Sequence, residues 1–392
     1  MDMLALENRL GLHNPLRAAR WEHMTMSEQG SLCPDIRNEF EKYTVETMLD
    51  NTITGAMESF GMPFGNAASI LKQVQESTTN ASPGVATFLK FAFPLVRKIW
   101  AKSIGKNLVS VQPMSLPTAM VFAIDHLRNS PQAGTSLQDR SVTSAKDYAL
   151  DPGEMQTPVR EINLTVTSQS VTASAKKLKS VYGIEVSQDL RAYHGISLAG
   201  ELLNMMAREI SLEIDAQIVY DLVTQASAGT ANWNATPSSS LSTEIEAHNK
   251  TIRKAFNSAS NFIFQKIYRN ANFIIGGVSE IQRLEDLGEQ TFVPSKDAEG
   301  VSAFGRVFAG KLYGKYDVYK DPFFPVTNQY LVGYKGQSWL ESGYVYAPYV
   351  PYMLLPEFTN PDNFSVTKAA MSRQAFYMKN SDNYALVNIT GS

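Results

Sequence analysis

Residues 197 to 224, SLAGELLNMMAREISLEIDAQIVYDLVT, restrict the possible architecture more than any other stretch. Leu203, Met206, Ile210, Ile214, Ile218 and Leu222 recur at helical spacing. Leu198, Leu202, Met205, Leu212, Ala216, Val219 and Val223 widen the apolar stripe. Glu201, Asn204, Arg208, Ser211 and Asp215 fall on the opposite side. Gly195 breaks what precedes, and Ser197 fits an N-cap. Such a helix is about 40 Å long, close to a domain diameter. It cannot bury its stripe within itself, so another long element must lie against it.

The stretch just upstream is the expected cover. In residues 161 to 187, Ile162, Leu164 and Val166 alternate with Asn163, Thr165 and Thr167, and β-branched residues are dense. Val181, Ile184 and Val186 resume the pattern after Lys176-Lys177-Leu178-Lys179. One or two long strands leading directly into the helix are predicted. The pairing makes an elongated spine rather than a compact catalytic core.

Length and charge narrow the class. At 392 residues with 44% hydrophobic content, two or three structural units or one interwoven fold can form. The formal charge of −3 argues against a nucleic-acid binder. Cys33 is the only cysteine, so no intrachain disulfide or Cys-based metal cluster is possible. His13, His23, His126, His194 and His248 never repeat at ligand spacing. The opening MDMLALENRL lacks an apolar core and does not read as a signal peptide. No run of eighteen apolar residues occurs, so no membrane span is expected. The expectation is a soluble protein made in a cytoplasm.

Along the chain, residues 1 to 35 read as an extended arm. Ile36, Phe40, Tyr43, Met48, Ile53, Met57 and Phe60 fit an amphipathic helix. A loop is expected over 61 to 84, then a helix to about residue 103 that Pro94 should kink. A strand at 119 to 124, a polar excursion over 126 to 158 and a strand from 161 suggest an extended hairpin. Residues 228 to 240 read as linker, 243 to 258 as helix, 271 to 277 as a buried strand and 277 to 287 as a short helix. A polar loop follows at 288 to 303. The remainder is aromatic and β-rich, with a strand stopped by Pro348 and Pro351 and a returning strand at 366 to 377.

The search for chemistry finds little. Gly305 to Lys311 has P-loop spacing, but Leu312 stands where Ser or Thr should ligate magnesium, so a strand and turn is preferred. There is no G-x-S-x-G elbow and no H-E-x-x-H helix. Glu209 and Glu213 share a helix face, which more often marks a solvated or intersubunit surface than a catalytic pair. His194 reads as a cap or packing residue. Lys176, Lys177 and Lys179 could meet phosphates, but three lysines are too few for strong DNA binding, and a solvated face or a bridge to a neighbour is favoured. Tyr344, Tyr346, Tyr349 and Tyr352 could stack on a ligand, although a packed sheet edge held by prolines is the simpler reading. Arms that bury little in their own subunit are expected to bury surface on another. The residues alone thus indicate a self-assembling structural protein with no cofactor.

Two blocks carry a family resemblance. FPLVRKIWAKSIGKNLVSVQPMSLPTAMVFAID, 93 to 125, resembles the major capsid protein of T-even-type tailed bacteriophages, in which a kinked helix leads into a V-x-V/G-Q-P-M segment and a P-x-x-x-V-F-A strand. VGYKGQSWLESGYVYAPYVPYMLL, 332 to 355, resembles the same family's V-G-Y-K-G and Y-x-P-Y-V-P block. The spine helix lies between them, and the resemblance covers about residues 83 to 380.

It implies an α+β fold of the Hong Kong 97 type. The implied division is 1–60 as N-terminal arm and helix, 61–114 and 176–225 as peripheral domain, 115–175 as E-loop, 226–358 as axial domain, and 359–392 as a return to the peripheral domain and the C-terminus. The resemblance also leaves room for the final residues to reach back to the axial domain. The implied function is a shell of hexamers and pentamers around double-stranded DNA, without sequence-specific contacts and without a membrane. Implied partners are further copies, a portal, and scaffold or decoration proteins; the implied location is the virion, assembled in a bacterial cytoplasm. Implied assembly residues are Gln112, Pro113, Lys176, Lys177, Lys179, Glu209, Glu213, Tyr346, Pro348 and Pro351. Ala5-Leu6-Glu7 fits a maturation-cleavage pattern, but so little chain precedes it that loss of a prodomain there is not expected. Lys146 lies in the implied E-loop, yet no covalent crosslink is expected. Alternatives are a pentameric vertex paralogue, a nanocompartment shell of the same fold, or an enzyme with an unrecognised site.

Overall fold

The computed structural model describes residues 39–59, 105–129, 139–140, 161–195, 198–237, 247–288, 291–295, 306–336, 342–355 and 357–391. The expected N-terminal arm, the loop at 61–84, the Pro94 helix and most of the excursion at 126–158 lie outside them. So do Ser197, Gly305, Lys146 and the 5–7 segment.

The elements in order are α1 (Glu39–Ser59), α2 (Gly105–Leu108), β1 (Ser110–Val111), β2 (Thr118–Asn129), β3 (Asp139–Arg140), β4 (Glu161–Thr172), β5 (Ser174–Tyr182), α3 (Ile184–His194) and α4 (Leu198–Gln225). There follow β6 (Thr230–Asn234), α5 (Ile252–Ile267), β7 (Phe273–Gly276), α6 (Val278–Glu285), β8 (Phe292–Pro294), β9 (Val307–Leu312) and β10 (Tyr316–Lys320). The chain ends with β11 (Gln329–Gly333), β12 (Tyr344–Leu354), β13 (Phe358–Thr359), β14 (Val366–Met378) and β15 (Tyr384–Thr390). The class is α+β, as expected.

The spine helix α4 occupies the predicted stretch almost residue for residue. Met206, Ile210, Ile214, Ile218 and Leu222 are buried along its stripe. Two positions depart from the helical wheel. Met205, placed on the apolar side, is 61% exposed. Asp215, placed on the polar side, is buried, because its carboxylate accepts the backbone N–H of Gly105 at 3.3 Å from a segment far upstream.

A second correction concerns what precedes the spine. The strand pattern stops at Tyr182, and Gly183 turns the chain into α3 rather than onward as β. Ile184 and Val186 therefore start a helix, which closes at Gly195 in the left-handed region at φ 65°. The cover over α4 is only partly the upstream stretch. β5 contributes, but its neighbour is β14, which arrives from nearly two hundred residues later. β4 pairs instead with β2.

Three sheets organise the chain. β1, β12, β14 and β13, with β5 on β14, make a five-stranded sheet. β6-β15-β11-β7-β10-β9-β8 make a seven-stranded sheet, and β3-β2-β4 a three-stranded one. The helix α4 shares one core with both larger sheets. Phe273, Ile275 and Leu331 of one and Tyr346, Tyr352 and Ala370 of the other join its stripe, with Val45, Met48 and Leu49 of α1. Because side chains alternate along a strand, Ile274, Val332 and Val387 point the other way. There they form a second core with Phe256, Ala259 and Ile281 of α5 and α6. Helix α5 runs to Ile267, so Phe262 to Ile267, expected after a helix, belong to it. The stretch at 288–303, expected as loop throughout, contains β8.

Within the range 226–358, β12 joins the five-stranded sheet, whereas β15 at the chain's end lies in the seven-stranded one. β12 also overturns the expectation that Pro348 and Pro351 stop a strand at a sheet edge. It runs through both, between β1 and β14. The register against β14 shifts between Pro348 and Val350 and again between Val350 and Met353. Those bulges accommodate residues that cannot donate to a ladder.

Candidate assembly surface

The implied assembly residues fall in two places. Gln112, Pro113, Tyr346, Pro348 and Pro351 lie within the five-stranded sheet. The N–H groups of Gln112 and Met114 donate to the carbonyls of Tyr346 and Pro348, each at 2.9 Å, extending the parallel pairing of β1. Pro113 falls between those two donors, where the ladder needs no N–H. Asn51 of α1 locks the turn, its Nδ2 donating to Met114 O at 2.7 Å and Tyr349 O at 2.8 Å. Tyr346 is buried, stacked on Phe376 at 5.5 Å. Burial, then the charge of Asp215, holds its phenol above the ordinary tyrosine range. These residues are internal joints, not open surface.

The second group lies at the border of the spine and β5. Lys177 and Lys179 are exposed, on the sheet face that carries Val181. Lys176 points the other way, and its Nζ donates to the backbone carbonyl of Glu213 at 3.0 Å. It bridges sheet and helix within one chain. Glu209 is exposed and Glu213 half-buried. Among the described residues β5 pairs with β14 alone, and lysines on such an edge discourage unwanted strand addition.

Sequence reasoning missed the apolar surface next to these lysines. Helix α3 has no buried residue, and Ile184, Val186 and Tyr193 are exposed. Val181 and Phe358 stand on the same face across β14, through Thr367. Gly183 and Gly195, twelve residues apart around a polar-apolar pattern, were the available signal.

The hairpin of β2 and β4 is paired without interruption from Thr118↔Thr172 to Asn129↔Glu161, about 40 Å of ribbon. Its base is rooted: Val121 and Val171 meet Val345, Ala347 and Ala375 on the sheet's other face. Met120 is 62% exposed, and Ser168, Gln169 and Ser170 lie open.

A buried joint also escaped the sequence reading. Arg306 Nε pairs with Asp321 Oδ2 at 2.7 Å, both side chains almost fully buried. Arg306 Nη1 also donates to the carbonyl of Leu212 in α4 at 3.2 Å, tying the seven-stranded sheet to the spine.

The segment with P-loop spacing is the strand β9, paired with β10, and Lys311 faces Asp317 at 3.5 Å. His194 is the exposed last residue of α3. Tyr344 and Tyr352 are buried, their hydroxyls donating to Asp221 and to the carbonyl of Leu203. Among the described residues no group of three metal-binding side chains occurs, and no helix is long and apolar enough to cross a membrane.

Known proteins give a consistent picture. The profile of the family described as Major capsid protein Gp23 matches residues 85–153 and 128–391. The major capsid protein of Enterobacteria phage T4 is 32% identical over 229 residues, 54% of this chain and 44% of that one. That of Vibrio phage KVP40 is 29% identical over 208 residues, 49% of this chain and 40% of that one. The match thus spans less than half the length of these two relatives. That of Serratia phage KSP90 is 22% identical over 345 residues, covering 73% and 76%. Among solved structures, the capsid of Myoviridae phage XM1 aligns with a TM-score of 0.44 at 9% identity, over 71% of this chain and 89% of that one. A native GTA particle capsid aligns at 0.44 and 12%, over 73% and 89%. With its family profile matched across most of the chain, this protein belongs to the Gp23 family of major capsid proteins.

Proposed function

We propose that copies of this chain assemble as hexamers and pentamers into a Hong Kong 97-type shell enclosing double-stranded DNA. In this reading the β2–β4 ribbon belongs to the E-loop, α4 and the five-stranded sheet to the peripheral domain, and the seven-stranded sheet to the axial domain. The observation that carries it, beside family membership, is the long two-stranded ribbon itself, rooted at its base in the five-stranded sheet. Exposed surface on such an arm, at Met120 and at residues 168 to 170, is surface for a neighbour. Lys177, Lys179 and Glu209 then lie at subunit borders, while Gln112, Pro113, Tyr346, Pro348 and Pro351 keep the sheet stiff enough to hold the ribbon's direction. The near-neutral charge suits a shell that must not grip its DNA. The role is structural rather than catalytic, its place the virion after assembly in the host cytoplasm, with portal, scaffold or decoration proteins as partners.

Deletion of residues 130–156 tests the reading. The subunit should keep its circular dichroism and melting temperature but form no closed shells by negative-stain electron microscopy, under conditions in which the intact chain does. Intact shells from the deleted chain would remove the ribbon from the assembly.

A further inference from the structure

The turn at Gly183 joins two surface strips of opposite charge. On β5, Lys177 and Lys179 are exposed on the sheet face that also carries Val181. Neither β5 nor β14 contains a carboxylate. The third cation of that face, Arg373, is half-buried with its guanidinium over the ring of Tyr349 at 5.1 Å. On α3, Glu185 and Asp189 are exposed one helical turn apart, beside the exposed Val186. Glu185 lies in the first turn, where the helix dipole favours it, but Asp189 lies beyond that benefit. Among the described residues, none of Lys177, Lys179, Glu185 and Asp189 enters an ion pair. Two unpaired cations and two unpaired anions thus adjoin one turn without meeting each other.

Sign and spacing select the occupant. Residues two apart on a strand lie about 6.6 Å from each other on one face. Residues four apart on a helix lie about 6 Å apart along its axis. The lysine strip and the carboxylate strip therefore match in spacing as well as in charge. Each is flanked by an exposed valine, Val181 or Val186, that can exclude water from the contact. A polyanion is a poor occupant, because two free lysines hold little of it and the neighbouring carboxylates repel it. The other acidic positions offer no equal strip. Glu209 adjoins the exposed Arg208, and Glu213 is half-buried where Lys176 reaches its carbonyl. Glu285, next to Asp286, is paired with Lys320 and Asp317 with Lys311, while Glu201 and Asp362 stand singly. A second copy of this chain brings a complement for both strips at once.

We infer that Lys177 and Lys179 of one copy meet Glu185 and Asp189 of a second copy, and that the contact is made twice about a twofold axis. The inference rests on the shell reading and adds a particular contact to it. Both strips adjoin Gly183, so one surface carries the two halves, and a twofold rotation lays each half on its complement. The second copy's β5 then covers α3, the helix that its own chain leaves without a buried residue.

The test reverses the charges in the full chain. Lys177→Glu with Lys179→Glu, and separately Glu185→Lys with Asp189→Lys, change only exposed side chains and should keep the subunit's circular dichroism and cooperative melting. Each pair of substitutions places like charges opposite each other and should raise the protein concentration needed for closed shells by about tenfold or more. All four substitutions together restore opposite signs and should return assembly to the unmodified chain's concentration. Either reversed pair that assembles at that concentration overturns the contact while leaving the shell reading intact. A fourfold variant no better than the reversed pairs also overturns it, and assigns the strips to different partners. Carbodiimide treatment of shells built from isotopically light and heavy chains gives a second readout. Amide links from Lys177 or Lys179 to Glu185 or Asp189 should join light peptides to heavy ones, and links confined to one chain overturn the inference. An unmodified chain that forms no shells with its partners present overturns both readings.

Discussion

The seven-stranded sheet and the segment from β5 through α3 treat apolar residues in opposite ways. In the sheet, Ile274 and Ile275 are both essentially inaccessible, because one face meets α5 and α6 and the other meets the spine. In α3 an eleven-residue helix has no fully buried residue, and Ile184 and Val186 are exposed. The lesson is that apolarity along this chain specifies burial only where two layers are available within one subunit. Where only one layer exists, the same residues remain as surface, and the proposed assembly supplies the second layer.

Substitutions in the first region should be severe. Asp321→Ala leaves Arg306 charged and buried without its partner, which costs about 3–5 kcal/mol. Urea unfolding of the unassembled subunit measures it, and a loss below about 1 kcal/mol would mean that Arg306 escapes to water. Ile218→Ala, at a fully buried position of the spine, should cost about 3 kcal/mol. A much smaller loss would show that the core on both sides of the helix collapses around the gap.

Alkaline pH should separate the regions without mutation. Burial raises Tyr319 to about 12 and Tyr330, Tyr346, Tyr352 and Tyr384 further. Tyr344 is raised by burial and then by its bond to Asp221. All belong to the two large sheets. A tyrosine whose pKa is higher folded than unfolded contributes stability that is complete below pH 10 and lost as pH climbs toward the folded value. Each such residue should remove about 1.4 kcal/mol per pH unit within that window. Absorbance at 295 nm should therefore show exposed tyrosines ionising first and the sheet tyrosines only with unfolding. Ionisation of every tyrosine near pH 10, with the fold intact, would contradict sealed cores.

What could be read in advance follows the same division. The spine helix was legible because twenty-eight residues of periodic pattern outweigh any local exception. β14 was legible as a returning strand at 366 to 377. α3 was not, because Ile184 and Val186 continue the spacing of the strand before them and only Gly183 marks the turn. Asp215 was placed on the wrong side because the N–H that satisfies it comes from Gly105. The same holds for the loop of Asp321, whose anchors Arg306 and Glu280 are distant in sequence and leave no local pattern. Prolines in β12 read as stops because bulged pairing between two neighbouring strands is visible only in three dimensions. Local periodicity survives into the fold; contacts between distant segments do not announce themselves in either.

The smallest effect is the most discriminating. Ile184→Ser with Val186→Ser in α3 should change subunit stability far less than a core substitution, by about 0.5 kcal/mol, since both side chains are exposed. Equal melting temperatures for variant and parent subunits, beside a clear loss from Ile218→Ala, would establish that the two apolar sets do different work. The same variant examined in assembled particles then carries the comparison further. Under the shell reading, the particle's thermal transition should fall while the subunit's does not, because the second layer over α3 exists only in the assembly. A variant subunit that melts early would instead place α3 within the subunit's own cooperative unit, and the division drawn between the two regions would fail.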